Sequence, residues 1–144
     1  MTSYVNGVPS PGCLANPPNG NDTYLCFFGQ YVYSSVVSPL FIFQFGTDAA
    51  QLTFDQCLNL ADPPEFQYAA QVQLQLDEIL EGVVGVFSPD CFLHTIVTSS
   101  KWNDIKIEDR CLGDCIFDFL NGVRDPSRIH KIDKCLVPEC NKTC

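Results

Sequence analysis

A chain of 144 residues with 46% hydrophobic and 12% aromatic content has the length and composition for one modest core, which excludes a disordered tail. Its formal net charge of -9 disfavours polyanions, so no nucleic acid is expected as a partner. No stretch is long and apolar enough to span a bilayer, and residues 1–7 have neither the basic nor the apolar region of a targeting segment.

Nine cysteines are heavy usage, and their spacings lack the paired Cys-x-x-Cys and His-x-x-x-His arrangement of a structural zinc site. No metal or cofactor is therefore expected, and disulfides formed in an oxidising compartment account for the cysteines. Two glycosylation sequons, Asn21-Asp22-Thr23 and Asn141-Lys142-Thr143, point the same way. A secreted composition without a leader in residues 1–7 leads to one expectation: the chain is the carboxy-terminal portion of a longer secreted protein.

In chain order, residues 10–22 are rich in Pro, Gly and Asn and are bracketed by Cys13 and Cys26, which predicts a loop closed by a disulfide between those two. Residues 39–45, Pro-Leu-Phe-Ile-Phe-Gln-Phe, form an apolar run suited to a strand buried on both faces. Helical spacing of Phe66, Ala69, Ala70, Leu76, Ile79 and Leu80, with Pro64 at the start, predicts an amphipathic helix over 64–82. A second apolar run at 83–87 completes strand, helix, strand, which implies a parallel sheet and an α/β fold. Beyond residue 101 the pattern is less periodic, with a short apolar segment at 115–120 and a cysteine-dense end. His130, near Arg128, Lys131 and Lys134, reads as part of a solvated basic face.

In open parallel sheets, functional groups collect beyond the carboxyl ends of the strands, here residues 46–51 and 88–96. The first loop holds Asp48 and the second His94. An acid followed by a histidine is the order of a serine hydrolase triad on an α/β-hydrolase fold, after its nucleophile. The histidine takes the serine proton, and the carboxylate fixes the imidazole tautomer. No Gly-x-Ser-x-Gly elbow is present: residues 7–12, Gly-Val-Pro-Ser-Pro-Gly, have the wrong spacing and prolines where a turn into a helix is needed. On local evidence alone Asp48 also reads as a helix cap and His94 as an ordinary loop histidine.

Several separate motifs carry a resemblance. They are Cys26-Phe27-Phe28-Gly29 with Val32-Tyr33, Asp48-Ala49-Ala50-Gln51-Leu52-Thr53, Phe87-Ser88-Pro89-Asp90-Cys91-Phe92-Leu93-His94, Ser100-Lys101-Trp102-Asn103-Asp104, and the ending Cys135-Leu136-Val137-Pro138-Glu139-Cys140-Asn141-Lys142-Thr143-Cys144. In order and separation these resemble the Notum-type carboxylesterases, which remove palmitoleate from Wnt proteins, within the pectin acetylesterase family. The resemblance covers nearly the whole chain. It implies that residues 1–144 are the carboxy-terminal portion of a single α/β-hydrolase domain followed by a disulfide-rich tail. It also implies that Asp48 and His94 are the triad acid and base, and that the serine lies outside this chain, leaving it inactive alone.

The same resemblance places Phe28, Phe54 and Ile96 at the family's acyl pocket, with Phe27 adjacent, and implies a lipid-modified protein of the Wnt type as substrate. From the residues alone, Phe27, Phe28 and Ile96 are ordinary core candidates. Phe54 stands where the family has a smaller valine, Ser38 replaces a family cysteine, and Cys57 has no counterpart. The alternatives are a polysaccharide acetylesterase using the same triad, and a non-catalytic fragment that binds a lipid or lipidated partner.

Overall fold

The computed structural model describes residues 8–57, 59–98 and 100–144; residues 1–7, read above for targeting, lie outside it. The chain divides into two compact units, one ending at Leu40 and the other running from Phe41 to Cys144.

Among the described residues, the first unit contains little regular structure. Helix α1, Pro11–Ala15, begins on a proline whose fixed φ suits a first helical turn. Two 3-10 turns, Pro18–Gly20 and Thr23–Phe27, lead to the short helix α2, Gly29–Val32. Asn19 and Gly20 both adopt positive φ, which a tight turn requires and which glycine and asparagine tolerate best. The expected Cys13–Cys26 disulfide closes the segment, and these two are the buried hydrophobic residues among those described there. A covalent link between two buried sulfurs replaces the apolar core that so small a unit cannot build.

The second unit is α/β. Its elements are β1 (Phe41–Phe43), β2 (Thr47–Asp48), α3 (Ala49–Phe54), α4 (Pro63–Leu80), β3 (Gly85–Ser88), β4 (Phe92–Leu93), β5 (Lys106–Ile107), β6 (Arg110–Cys111), α5 (Leu112–Leu120), α6 (Pro126–Ile129) and β7 (His130–Ile132). Strands β1, β3 and β7 form a parallel sheet in that order, with Phe41 opposite Gly85 and Val86 opposite His130. The β1–α4–β3 crossover is the one expected from the periodicity. A second crossover, β3 to β7 through α5 and α6, carries no comparable pattern in the sequence.

Two expectations are corrected. The run at 39–45 forms a strand only over Phe41–Phe43, and all three residues are half-buried, because β1 is an edge of the described sheet and only the central β3 is buried throughout. The solvated basic face around His130 forms only in part: Arg128 and Lys134 are exposed, but Lys131 is not. His130 is half-buried at the start of β7, its Nδ1 2.8 Å from the Val83 carbonyl. Lys131 is buried and paired with Glu108, while Arg128 and Arg110 both bind the buried carboxylate of Asp118. Carboxylates distant in sequence neutralise these cations, which local composition cannot reveal.

Phe45, Phe87, Cys91, Ile96, Ile105, Ile107, Leu112 and Cys115 form the main core cluster. Gly85 is required beneath it: a Cβ there would stand 2.7 Å from the Phe119 ring and 2.8 Å from the Phe41 ring, which pack edge to face at 5.4 Å. Cys135–Cys140 and Cys91–Cys144 complete three disulfides among the described residues, and Cys57, Cys111 and Cys115 are free and buried.

Candidate active site

Asp48 and His94, 46 residues apart, meet because the segments carrying them pair as parallel strands, Thr47 opposite Phe92 and Asp48 opposite Leu93. Asp48 ends β2 and caps α3: its Oδ1 accepts hydrogen bonds from the backbone nitrogens of Ala50 and Gln51, each at 2.9 Å. The next residue after β4 is His94, whose Nδ1 lies 3.0 Å from Asp48 Oδ1 and 3.1 Å from Oδ2. Gln44 Nε2 donates to Oδ2 at 3.3 Å. The two local readings of Asp48 are thus compatible, since one carboxylate both caps the helix and meets the imidazole.

Burial separates the partners' roles. The Asp48 side chain is 11% exposed and the His94 side chain 59% exposed. A shielded carboxylate beside one ring nitrogen favours a proton on that nitrogen and leaves the other able to accept one.

Behind the pair lies a polar network without a local sequence signal. Thr47 Oγ1 donates to Asp90 Oδ1, and Asp90 Oδ2 accepts from the Cys140 backbone nitrogen at 2.9 Å. The Asp90 nitrogen donates to Asp133 Oδ2 at 3.0 Å, Asn141 Nδ2 donates to that oxygen at 2.6 Å, and the Asn141 nitrogen donates to the Asp90 carbonyl at 3.2 Å. Asp90 is fully buried. Burial pushes its carboxyl above the usual range, opposed by the hydrogen bonds from Cys140 and Thr47. Gly46 makes room for it, since a Cβ there would stand 3.2 Å from Asp90 Oδ1. Nearby, Asp77 on α4 is pushed up to about 6, first by burial and then by the charge of Asp90.

The apolar candidates are placed less uniformly. Phe27 and Phe28 are exposed residues of the first unit, Phe54 is 86% exposed at the end of α3, and Ile96 is buried in the core cluster two residues after His94. Asp90, Cys135 and Cys140 bring metal-type ligand atoms within 4.8 Å of one another, but the two sulfurs are bonded to each other and the Asp90 oxygens accept hydrogen bonds.

The family model of the pectinacetylesterases matches residues 12–144, across both compact units. The chain belongs to the pectinacetylesterase family. Among the family's relatives, palmitoleoyl-protein carboxylesterase notum1a of Danio rerio is 32% identical over 83% of this chain and 26% of its own length. The palmitoleoyl-protein carboxylesterase NOTUM of Homo sapiens is 29% identical over 98% of this chain and 31% of its own length. The solved structure of the Wnt deacylase Notum from Drosophila superposes with a TM-score of 0.79 at 28% identity, covering 92% of this chain and 37% of that one. The chain therefore spans about a third of the length of the relatives it matches, and its α/β fold is the corresponding part of an α/β-hydrolase.

Proposed function

We propose that this chain carries the acid and base of a carboxylic ester hydrolase. Asp48 orients His94 and stabilises its protonated form, and His94 serves as general base toward a serine outside residues 1–144. The single observation that carries this is the contact of His94 Nδ1 with both oxygens of a carboxylate that is itself shielded and fixed as a helix cap. The far ring nitrogen takes the serine proton as the serine oxygen bonds to the acyl carbon. It then returns that proton to the departing hydroxyl oxygen, and water hydrolyses the acyl-enzyme by the same two transfers.

The substrate we propose is a palmitoleoyl ester on a Wnt-type protein, as the names of the relatives state for those proteins. Phe27, Phe28 and Phe54 are exposed aromatic side chains fit for contact with an acyl chain, and Ile96 backs the histidine segment from the core. The match of the family model across both compact units supports their belonging to one hydrolase domain. Three disulfides support a secretory route.

The family's description favours one second reading, a polysaccharide acetylesterase using the same pair. The deciding experiment expresses these residues together with their nucleophile and compares hydrolysis of a palmitoleoylated peptide with that of acetylated pectin. Preference for the peptide, lost in His94→Gln, supports the deacylase. Preference for pectin selects the second reading, and turnover unchanged in His94→Gln removes the pair from catalysis.

A further inference from the structure

We infer that Asp90, linked through Thr47, is a positioning residue for the Asp48–His94 pair. This rests on the reading of that pair given above. The pair is held together by strands of only two residues each, β2 and β4, and so short a ladder fixes register weakly. Side chains alternate along a strand, so where Asp48 faces the imidazole, Thr47 faces the other way, and there its hydroxyl meets Asp90. Asp90 itself stands four residues before His94. The hydrogen bond thus joins the residue before the acid to the segment that delivers the base, on the side of the ladder opposite the chemistry.

Asp90 is suited to this. A buried carboxylate is costly and adds less stability than a well-packed apolar group, so its physical merit is in fixing one arrangement among several. Its oxygens accept from Thr47 and Cys140, and its own backbone nitrogen and carbonyl engage Asp133 and Asn141. Those partners are anchored in turn, since Asn141 Nδ2 donates to Asp133 and to the Lys106 carbonyl at 2.8 Å, and Cys91 is bonded to Cys144. A slip of β2 against β4 would break the Thr47 contact and withdraw Asp48 from His94.

The test reads the imidazole directly. Long-range proton–nitrogen correlation of the protein that includes the nucleophile, labelled with nitrogen-15 at histidine, resolves the rings, and the signals lost in His94→Gln are those of His94. Wild type should show His94 with its neutral-form proton on Nδ1. Thr47→Val, which removes one hydroxyl at nearly constant shape, and Asp90→Ala should each lose at least half of that tautomer. Thr47→Ser should retain it. Phe119→Leu, a core change elsewhere, should lower the thermal midpoint while leaving the tautomer as in wild type. A wild-type tautomer in Thr47→Val, or equal loss in Phe119→Leu, overturns the inference. If wild type itself lacks the Nδ1 proton, the acid–histidine reading fails first, and that outcome is visible before any Thr47 or Asp90 variant is made.

Discussion

Replacing Asp48 in two ways separates its two tasks. Asparagine keeps an oxygen that can accept from the Ala50 and Gln51 nitrogens, and asparagine and aspartate are near equals as helix caps, so Asp48→Asn should change stability by less than about 0.5 kcal/mol. It removes the charge facing His94 and presents an amide nitrogen that donates, which draws the imidazole proton to the far nitrogen and disables it as a base. Turnover in the protein that includes the nucleophile should fall on the order of several thousandfold. Asp48→Ala loses the cap as well, costing about 1 kcal/mol and lowering the thermal midpoint by about 4 °C. Thermal unfolding of both variants, alongside ester hydrolysis, makes the comparison. A loss of turnover below about tenfold in Asp48→Asn would refute the catalytic reasoning. Equal midpoints for Asp48→Ala and wild type would refute the cap.

Gly85→Ala should destabilise the chain by about 1–3 kcal/mol, because its methyl enters the space held by the Phe41 and Phe119 rings; denaturant unfolding with and without Phe119→Leu should show partial rescue in the double variant. Asp77, raised from 3.8 to about 6, binds its proton more tightly in the folded chain. Its contribution to stability is thus fully present below about pH 4 and is lost as pH rises through about 6. Above that pH Asp77→Asn should be the more stable form by about 1–3 kcal/mol, allowing for partial solvent screening, and unfolding curves at pH 4 and 7.5 would show no change in the difference if the argument is wrong.

What the sequence made legible was whatever is written in period or punctuation. The helix expected over 64–82 is found at Pro63–Leu80, and the strand after it begins at Gly85 because the Val83 nitrogen still closes a turn onto the Leu80 carbonyl. The Cys13–Cys26 pair could be read because Pro and Gly mark the loop between its members. Strand β7 was hidden: Lys131, flanked in sequence by the exposed Arg128 and Lys134, looks like surface until Glu108 of the β5–β6 turn pairs with it and allows its burial. At the candidate site, the meeting of Asp48 and His94 could be read from their places after two strands. The roles of Thr47, Asp90, Asp133 and Asn141 could not, since nothing local distinguishes a polar residue that will join an internal hydrogen-bond network from one facing water.

The Cys91–Cys144 disulfide has a consequence for timing. The sulfur that fastens Cys91, three places before His94, is made 53 residues later, and the Cys140 group that holds Asp90 is made 50 residues after it. At a synthesis rate of about 5–20 residues per second, His94 exists for roughly 3–10 s before Cys144 is added, and longer until the thiols are oxidised. The contact between Asp48 and His94 is thus secured only after residues 140–144 have been added.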